Sequence, residues 1–566
     1  MGVFSPDALK YYKILKYKPC STKSLLTRVI KKNNVATVVV DSSSADTPTV
    51  SCCYSNVYRE KSEKSPDNSI KVTDCKDFQN NVTFTSSAIM IKCKRKSSKE
   101  RVYENVHAAV LIDDNIKKKM TDWNETTRPL SILFVGIDSI SRLNFARSLP
   151  QTYKYVEERG WISLKGYNKM DDNTFPNLMA ILTGYNQTMS YKICNPKASG
   201  FLDKCPMLWY NYRNFGYITA YAEDEASIST FNYKKKGFVM PPTDYYFRPY
   251  IMATEKLAKV TLNGMTYCTG PETAGERILN LAEEFAITFK DHPHFGFFWM
   301  NSYSHNNLNS PSMMDEKVKK LLTELEDNDV YNNTLVVFLS DHGIRFGDIR
   351  LTPTGWQEER LPFIYLSFPL WFKEKYPIYF QNFQRNVNKL TTPYDLHMTL
   401  QHILVLGGFN YTIRPSDACP QCMSLFEEIP HERACEEAGI IDHWCTCEGY
   451  IEYQVEANIL QKLTTFFLDQ LGKLIGSIDK EKKCDTYKIK SASTRISQRF
   501  FNKTRNHILL RITTKPVAEF ETTITYYGDI SVNSTLTIGD ISRLDYYSSH
   551  SHCVADEYLK KYCYCK

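Results

Sequence analysis

From Pro129 to about residue 368 the chain alternates short β-branched and aromatic runs with stretches of helical period, and this alternation restricts the fold more than any other feature. The runs are ILFVGI (132–137), WISLKGY (161–167), YITAYA (217–222), HFGFFWM (294–300), LVVFL (335–339) and PFIYLSF (362–368). Between them lie RLNFARSLPQTYKYVEERG (142–160), ETAGERILNLAEEFAITFK (272–290) and MMDEKVKKLLTELED (313–327), which place apolar residues on one helical face. Strands that alternate with helices form βαβ units, so the predicted fold is an α/β/α sandwich around a mostly parallel sheet. The predicted α/β domain spans 126–475.

The flanks have a different texture. Residues 1–125 mix cysteines with Ser/Lys-rich loops such as REKSEKSPDNS (59–69) and short β-like runs such as ATVVV (36–40), and form a predicted N-terminal cysteine-containing region. Residues 476–566 carry IKSASTRIS (489–497), HILLRITTK (507–515) and AEFETTITYYG (518–528) and close with Cys553, Cys563 and Cys565, which predicts a small disulfide-pinned β-rich domain. No repeat occurs at solenoid periods.

Composition narrows the setting. With 566 residues, 42% hydrophobic and 23% charged, the chain is an ordinary globular one. A net charge of +7 from 70 basic and 63 acidic residues gives no case for nucleic acid as a partner. The basic run KCKRKSSKER (92–101) reads as solvated surface. Five of the 17 cysteines precede residue 100 and nine follow from Cys419 onward. Zinc is a rival use for CPQC (419–422) and CYC (563–565), but no matching pair with histidines follows. Asn-x-Ser/Thr sequons stand at Asn81, Asn124, Asn186, Asn332, Asn410, Asn502 and Asn533. Cysteines and sequons together predict a disulfide-bonded glycoprotein of the secretory lumen or the extracellular space. Residues 1–30 lack the apolar core of a signal peptide and no run reaches the roughly 18 apolar residues of a membrane span, so the expectation is that a signal or anchor has been lost from the start.

Ligands in open α/β sheets gather beyond the carboxyl ends of strands, and acids and histidines stand there. In LVVFLSDHGIRFG (335–347) the strand runs into Asp341 and His342, which read either as turn chemistry or as metal ligands. Asp138 ends the first strand in the same way and reads as a ligand or a helix N-cap. His305 follows HFGFFWM closely. In KMDDNTFPNLMAILTG (169–184), Thr174 precedes Pro176 at a helix start, where a hydroxyl meets the positive end of the dipole and an anion is stabilised. The competing reading there is a cap by Asn173 or Thr174.

GIDS (136–139), NTFPNLMAILTG (173–184), FLSDHG (338–343) and GWQEERLPFIYL (355–366), in that order and spacing, resemble the alkaline-phosphatase-like superfamily of sulfatases, nucleotide phosphodiesterases and phosphoethanolamine transferases. More closely, the chain resembles the animal family called domain of unknown function 229 from about residue 75 to its end, including AEFETTITYY, GDISRLDYYSSHSHCV and YLKKYCYCK. The resemblance implies an alkaline-phosphatase-like fold, with Asp138, Asp341 and His342 as metal ligands. It also implies Thr174 as nucleophile where sulfatases carry a modified cysteine. His305 matches a ligand of a second metal, or a substrate histidine in one-metal members.

Three departures qualify this. Asn301, a weak ligand or substrate contact, stands where two-metal relatives carry an aspartate. A third histidine for that site is not evident, since His397 and His402 lie in a helical stretch. Thr174-Phe175-Pro176-Asn177-Leu178 replaces the sulfatase Cys-x-Pro-x-Arg. The expectation is one firm divalent-metal site, zinc first, with a second doubtful. The expected protein is a metal-dependent hydrolase or transferase of small-molecule, glycan or lipid phosphate esters. The alternatives are a sulfatase-like ester hydrolase and a non-catalytic glycan-binding or structural protein.

Overall fold

The computed structural model describes residues 2–41, 50–60, 67–120, 123, 127–447, 449–497 and 505–566. Its central sheet holds β1 (Ser131–Ile137), β2 (Ile162–Ser163), β3 (Ile218–Glu223), β4 (Tyr245–Tyr246), β5 (His294–Met300), β6 (Thr334–Leu339) and β7 (Ile364–Ser367), in the order β2-β7-β6-β1-β5-β3-β4. Strands β6, β1, β5, β3 and β4 pair in parallel; β7 is antiparallel to both β6 and β2. Every residue of β1, β3, β5 and β6 is buried, which is why these segments read as unbroken apolar runs.

Helices cover both faces. On one side α1 (Arg142–Ser148) and α2 (Pro150–Glu158) are followed, on the other, by α3 (Thr174–Thr183). The first side also takes α4 (Ala274–Thr288) and α5 (Asp315–Asp327), and the second takes α6 (Pro393–Leu406). Leu133, Val135 and Ile137 of β1 pack with Phe145, Phe285 and Leu321, while Ile132 and Phe134 pack with Leu178 and Leu400. The helical stretch expected over 142–160 is two helices, because Pro150 removes a backbone donor and restricts Leu149 ahead of it.

The N-terminal region forms two antiparallel sheets, one with Thr27–Lys32 and Val35–Val40, the other with Val50–Arg59, Ala88–Arg95 and Arg101–His107. Val57, Met90 and Val106 join the same core as β1, and a Cys20–Cys268 disulfide ties the region down. At the other end β8 (Tyr450–Glu452), β9 (Lys488–Ser497), β10 (Arg505–Lys515), β11 (Glu519–Tyr527) and β12 (Thr537–Arg543) form one antiparallel sheet in chain order. Helix α7 (Ala457–Ile478) lays Ile459, Leu463 and Phe467, four residues apart, on Ile508, Leu510 and Phe520. The β-rich unit therefore draws in β8 and α7, which both begin before residue 476.

Eight disulfides pair Cys20–Cys268, Cys52–Cys93, Cys53–Cys75, Cys194–Cys205, Cys419–Cys422, Cys435–Cys445, Cys484–Cys563 and Cys553–Cys565. The thiols of CPQC and CYC are thus spent in bonds rather than left to zinc. Such a set belongs to an oxidising compartment. Asn81, Asn186, Asn332, Asn410 and Asn533 are exposed, whereas Asn124 and Asn502 lie outside the described residues. Among the described residues no helix is long and apolar enough to cross a membrane.

Candidate metal centre

Parallel pairing of β1 with β6 brings the residues after both strands to one edge of the sheet. The ligand atoms of Asp138, Asp341 and His342 lie within 4.8 Å of one another there, all buried. Asp341 spends one oxygen on its turn: Oδ1 accepts from the backbone N–H of Ser139 at 3.1 Å and of His342 at 2.9 Å. The Nδ1–H of His342 donates to the Gly343 carbonyl at 2.9 Å, which leaves Nε2 with a bare lone pair. A side chain at Gly343 would place Cβ 2.2 Å from the Glu358 carbonyl oxygen, so glycine lets the turn close against the next helix. Asp138 is not a cap: Ser141 caps α1 by accepting from the Asn144 N–H at 2.9 Å.

Three atoms at this edge, Asp138 Oδ2, Asp341 Oδ2 and His342 Nε2, are buried with no hydrogen-bond partner. Unpaired buried acceptors of this kind are costly and rare. Nε2 of His342 lies 3.2 Å from Asp341 Oδ2 and 3.6 Å from Asp138 Oδ1. Burial, with Asp138 adding to it, pushes the Asp341 carboxyl up to about 6, and burial raises Asp138 as well. Burial pushes the His342 imidazole down to about 3, so it stays neutral. Two carboxylates and a neutral imidazole with unspent lone pairs fit a divalent cation, and an N/O set of this kind suits zinc.

Thr174 is the first residue of α3 and Asn173 its N-cap position, but Asn173 makes no capping bond. Its Oδ1 accepts from Nη1 of Arg345 instead, and the Thr174 hydroxyl donates to Asp138 Oδ1 at 3.2 Å. Both side chains able to cap the helix are turned to the centre, and the N-terminal N–H groups of α3 keep their positive end for an anion.

The second-metal candidates are differently placed. His305 bonds Asn306 Oδ1 through Nδ1 at 2.7 Å, and its Nε2 faces Arg345 Nη2 at 3.3 Å and Asp138 Oδ2 at 4.0 Å. Burial, and then Arg345, push His305 down to about 4. The amide of Asn301 donates to Glu223 Oε1 at 3.1 Å and Asp224 Oδ1 at 3.3 Å, away from the centre. His397 bonds the Ile181 carbonyl at 2.9 Å and His402 bonds Ser424 Oγ at 3.1 Å, so both serve the packing of α6. Among the described residues, no cluster of three ligands forms around Asn301 and His305.

Several neighbours escaped sequence reasoning. Arg345 stands four residues after Asp341 and bridges Asn173 to His305. Lys169 pairs with Glu359 and lies 4.0 Å from Asp172, which in turn meets Lys561 of α8 (Glu557–Tyr562) at 2.6 Å. Only the charge after SDHG at Arg345 could have been picked out, since the other pairs join distant segments.

Residues 13–493 match the family described as "Protein of unknown function (DUF229)", and the C-terminal residues beyond 493 fall outside that match. No curated protein matches the chain. Among solved structures it is similar to the lipoteichoic acid synthase LtaP from Listeria monocytogenes, at 11% identity over 80% of this chain and 92% of that one, with a TM-score of 0.36. A protein in the alkaline phosphatase superfamily from Vibrio parahaemolyticus matches at 11% identity over 79% and 92%, with a TM-score of 0.37. The C-terminal periplasmic domain of phosphoethanolamine transferase EptC from Campylobacter jejuni matches at 12% identity over 54% and 97%, with a TM-score of 0.32.

Proposed function

For a chain that belongs to the DUF229 family, we propose a divalent-metal-dependent hydrolase or transferase of phosphate esters, acting outside the cell or in the secretory lumen with Thr174 as nucleophile. The observation that carries this reading is the convergence of three unpartnered ligand atoms on a centre whose Asp138 also accepts the Thr174 hydroxyl. A divalent cation held by Asp138, Asp341 and His342 would neutralise charge on the ester and favour the ionised form of a nearby hydroxyl. Thr174 Oγ1 attacks phosphorus, its proton having an acceptor in place at Asp138 Oδ1. The ester oxygen leaves as an alkoxide that takes a proton from water to become the alcohol, and the N-terminal N–H groups of α3 face the oxygens of the transferred group. Water then releases phosphate in a hydrolase, or an acceptor alcohol takes the group in a transferase. An alcohol at position 174 without Cys-x-Pro-x-Arg favours phosphate over sulfate esters. Small-molecule, glycan and lipid phosphates are the substrate classes to try, with zinc as the first metal.

The test is a panel of phosphate and sulfate esters offered to zinc- and manganese-loaded wild type and Thr174→Ala. Turnover of a phosphate ester by wild type and its loss in the variant is the expected result. Full activity in Thr174→Ala removes this residue as nucleophile, and an inert wild type across all esters and metals leaves a non-catalytic module.

A further inference from the structure

Among the described residues, most buried guanidinium groups are matched by acids. Arg147 pairs with Glu358, Arg277 with Glu272, Arg350 and Arg360 with Glu359, and Arg433 with Asp395. Arg248 lacks a carboxylate but donates to the carbonyls of Asp67 and Ala226 and to Ser229 Oγ. Arg345 has neither arrangement. It is 8% exposed, and among the described residues no carboxylate lies within 4.0 Å of it. Its side-chain hydrogen bonds go to Asn173 Oδ1 and the neutral His305 Nε2, its guanidinium lies 4.9 Å from the centre of the Phe346 ring, and its Nε is buried with no partner; Asp138 and Asp172 feel its charge only from beyond ion-pair distance. Of the five N–H groups a guanidinium offers, three remain unspent. A buried cation left in this state is unfavourable on its own, so its presence beside the nucleophile calls for a ligand.

We infer that Arg345 holds the anionic group of the substrate, donating to the non-bridging oxygens of the phosphoryl group attacked by Thr174. This deepens the ester-transfer reading given above and rests on it. The guanidinium reaches Asn173, the residue before Thr174, so it is anchored one position from the attacking oxygen. His305 accepts from its other end and positions it, which spends the histidine lone pair that a second metal would need. Arg345 thereby supplies a second positive charge beside the three ligands. The substrate class that follows is a tetrahedral oxyanion ester with at least two free oxygens; neutral carboxylic esters have nothing for Arg345 to hold.

The test uses the full chain and inorganic phosphate. Metal content is measured first, then phosphate binding by calorimetry, for wild type, Arg345→Met and Arg345→Lys. Expected are at least a tenfold loss of phosphate affinity in Arg345→Met, a smaller loss in Arg345→Lys, and one metal per chain in all three. Because no carboxylate forms an ion pair with Arg345 and Asp138 and Asp172 feel it only at longer range, Arg345→Met should unfold within a few degrees of wild type. Unchanged phosphate affinity with metal retained overturns the inference, as does a fall of several degrees in the unfolding temperature, which marks a structural cation. Phosphate binding that depends on Arg345 in a protein taking up no metal would sustain this inference and sink the metal-centre reading.

Discussion

Lys561 and Asp172 meet at 2.6 Å, joining the last helix of the chain to the loop two residues ahead of Thr174. Both side chains are buried. Burial raises the Asp172 carboxyl, but Lys561 and Lys169 outweigh it and hold the group well below the usual range. Glu557, one turn earlier, reaches Lys235, whose ammonium lies 4.5 Å from the ring of Phe175. A segment beyond the family match thus packs against the loop and helix start that carry Thr174.

Lys561→Met leaves a buried carboxylate with no cation nearer than Lys169 at 4.0 Å. Removing one partner of a buried pair costs about 3 kcal/mol or more. Urea unfolding should show that loss, and a variant within about 0.5 kcal/mol of wild type would show the pair to be idle.

The candidate metal centre also implies a dependence on pH. The Asp341 carboxyl rises from 3.8 in the unfolded chain to about 6 in the metal-free fold. Between those values the fold binds more protons than the unfolded chain, so this group lowers the stability of metal-free protein as pH rises. A bound cation removes that penalty and competes with the proton. The increase in unfolding temperature on adding zinc should therefore be larger at pH 7 than at pH 5, and disappear in Asp341→Asn. An increase independent of pH would place the metal elsewhere.

Asn301→Asp tests the second site. A carboxylate there faces Glu223 and Asp224, and burial already pushes Glu223 up to about 7. The expected variant is less stable than wild type, with a larger deficit at pH 8 than at pH 5, and still binds one metal per chain. Two metals per chain would show that a single carboxylate completes the site.

The strands of the sheet were legible because they are buried on both faces, and HFGFFWM coincides with β5 residue for residue. Asp138, Thr174, Asp341 and His342 were legible because each follows a strand or opens a helix, and the parallel register of β1 and β6 does the rest. Arg345 carried a weaker signal, its place just after SDHG, because an arginine in a loop usually faces water and only its burial without an ion pair marks it out. Lys561 was hidden by the 389 positions separating it from Asp172. Helix α7 reads as part of the α/β domain until the sheet it covers is seen.

The central claim is that Asp138, Asp341 and His342 hold one cation at the threonine. Crystals of zinc-loaded protein, measured at the zinc absorption edge, test it most directly. The expected result is one strong anomalous peak about 2 Å from Asp138 Oδ2, Asp341 Oδ2 and His342 Nε2; no peak there, or a peak between Asn301 and His305 instead, would contradict it.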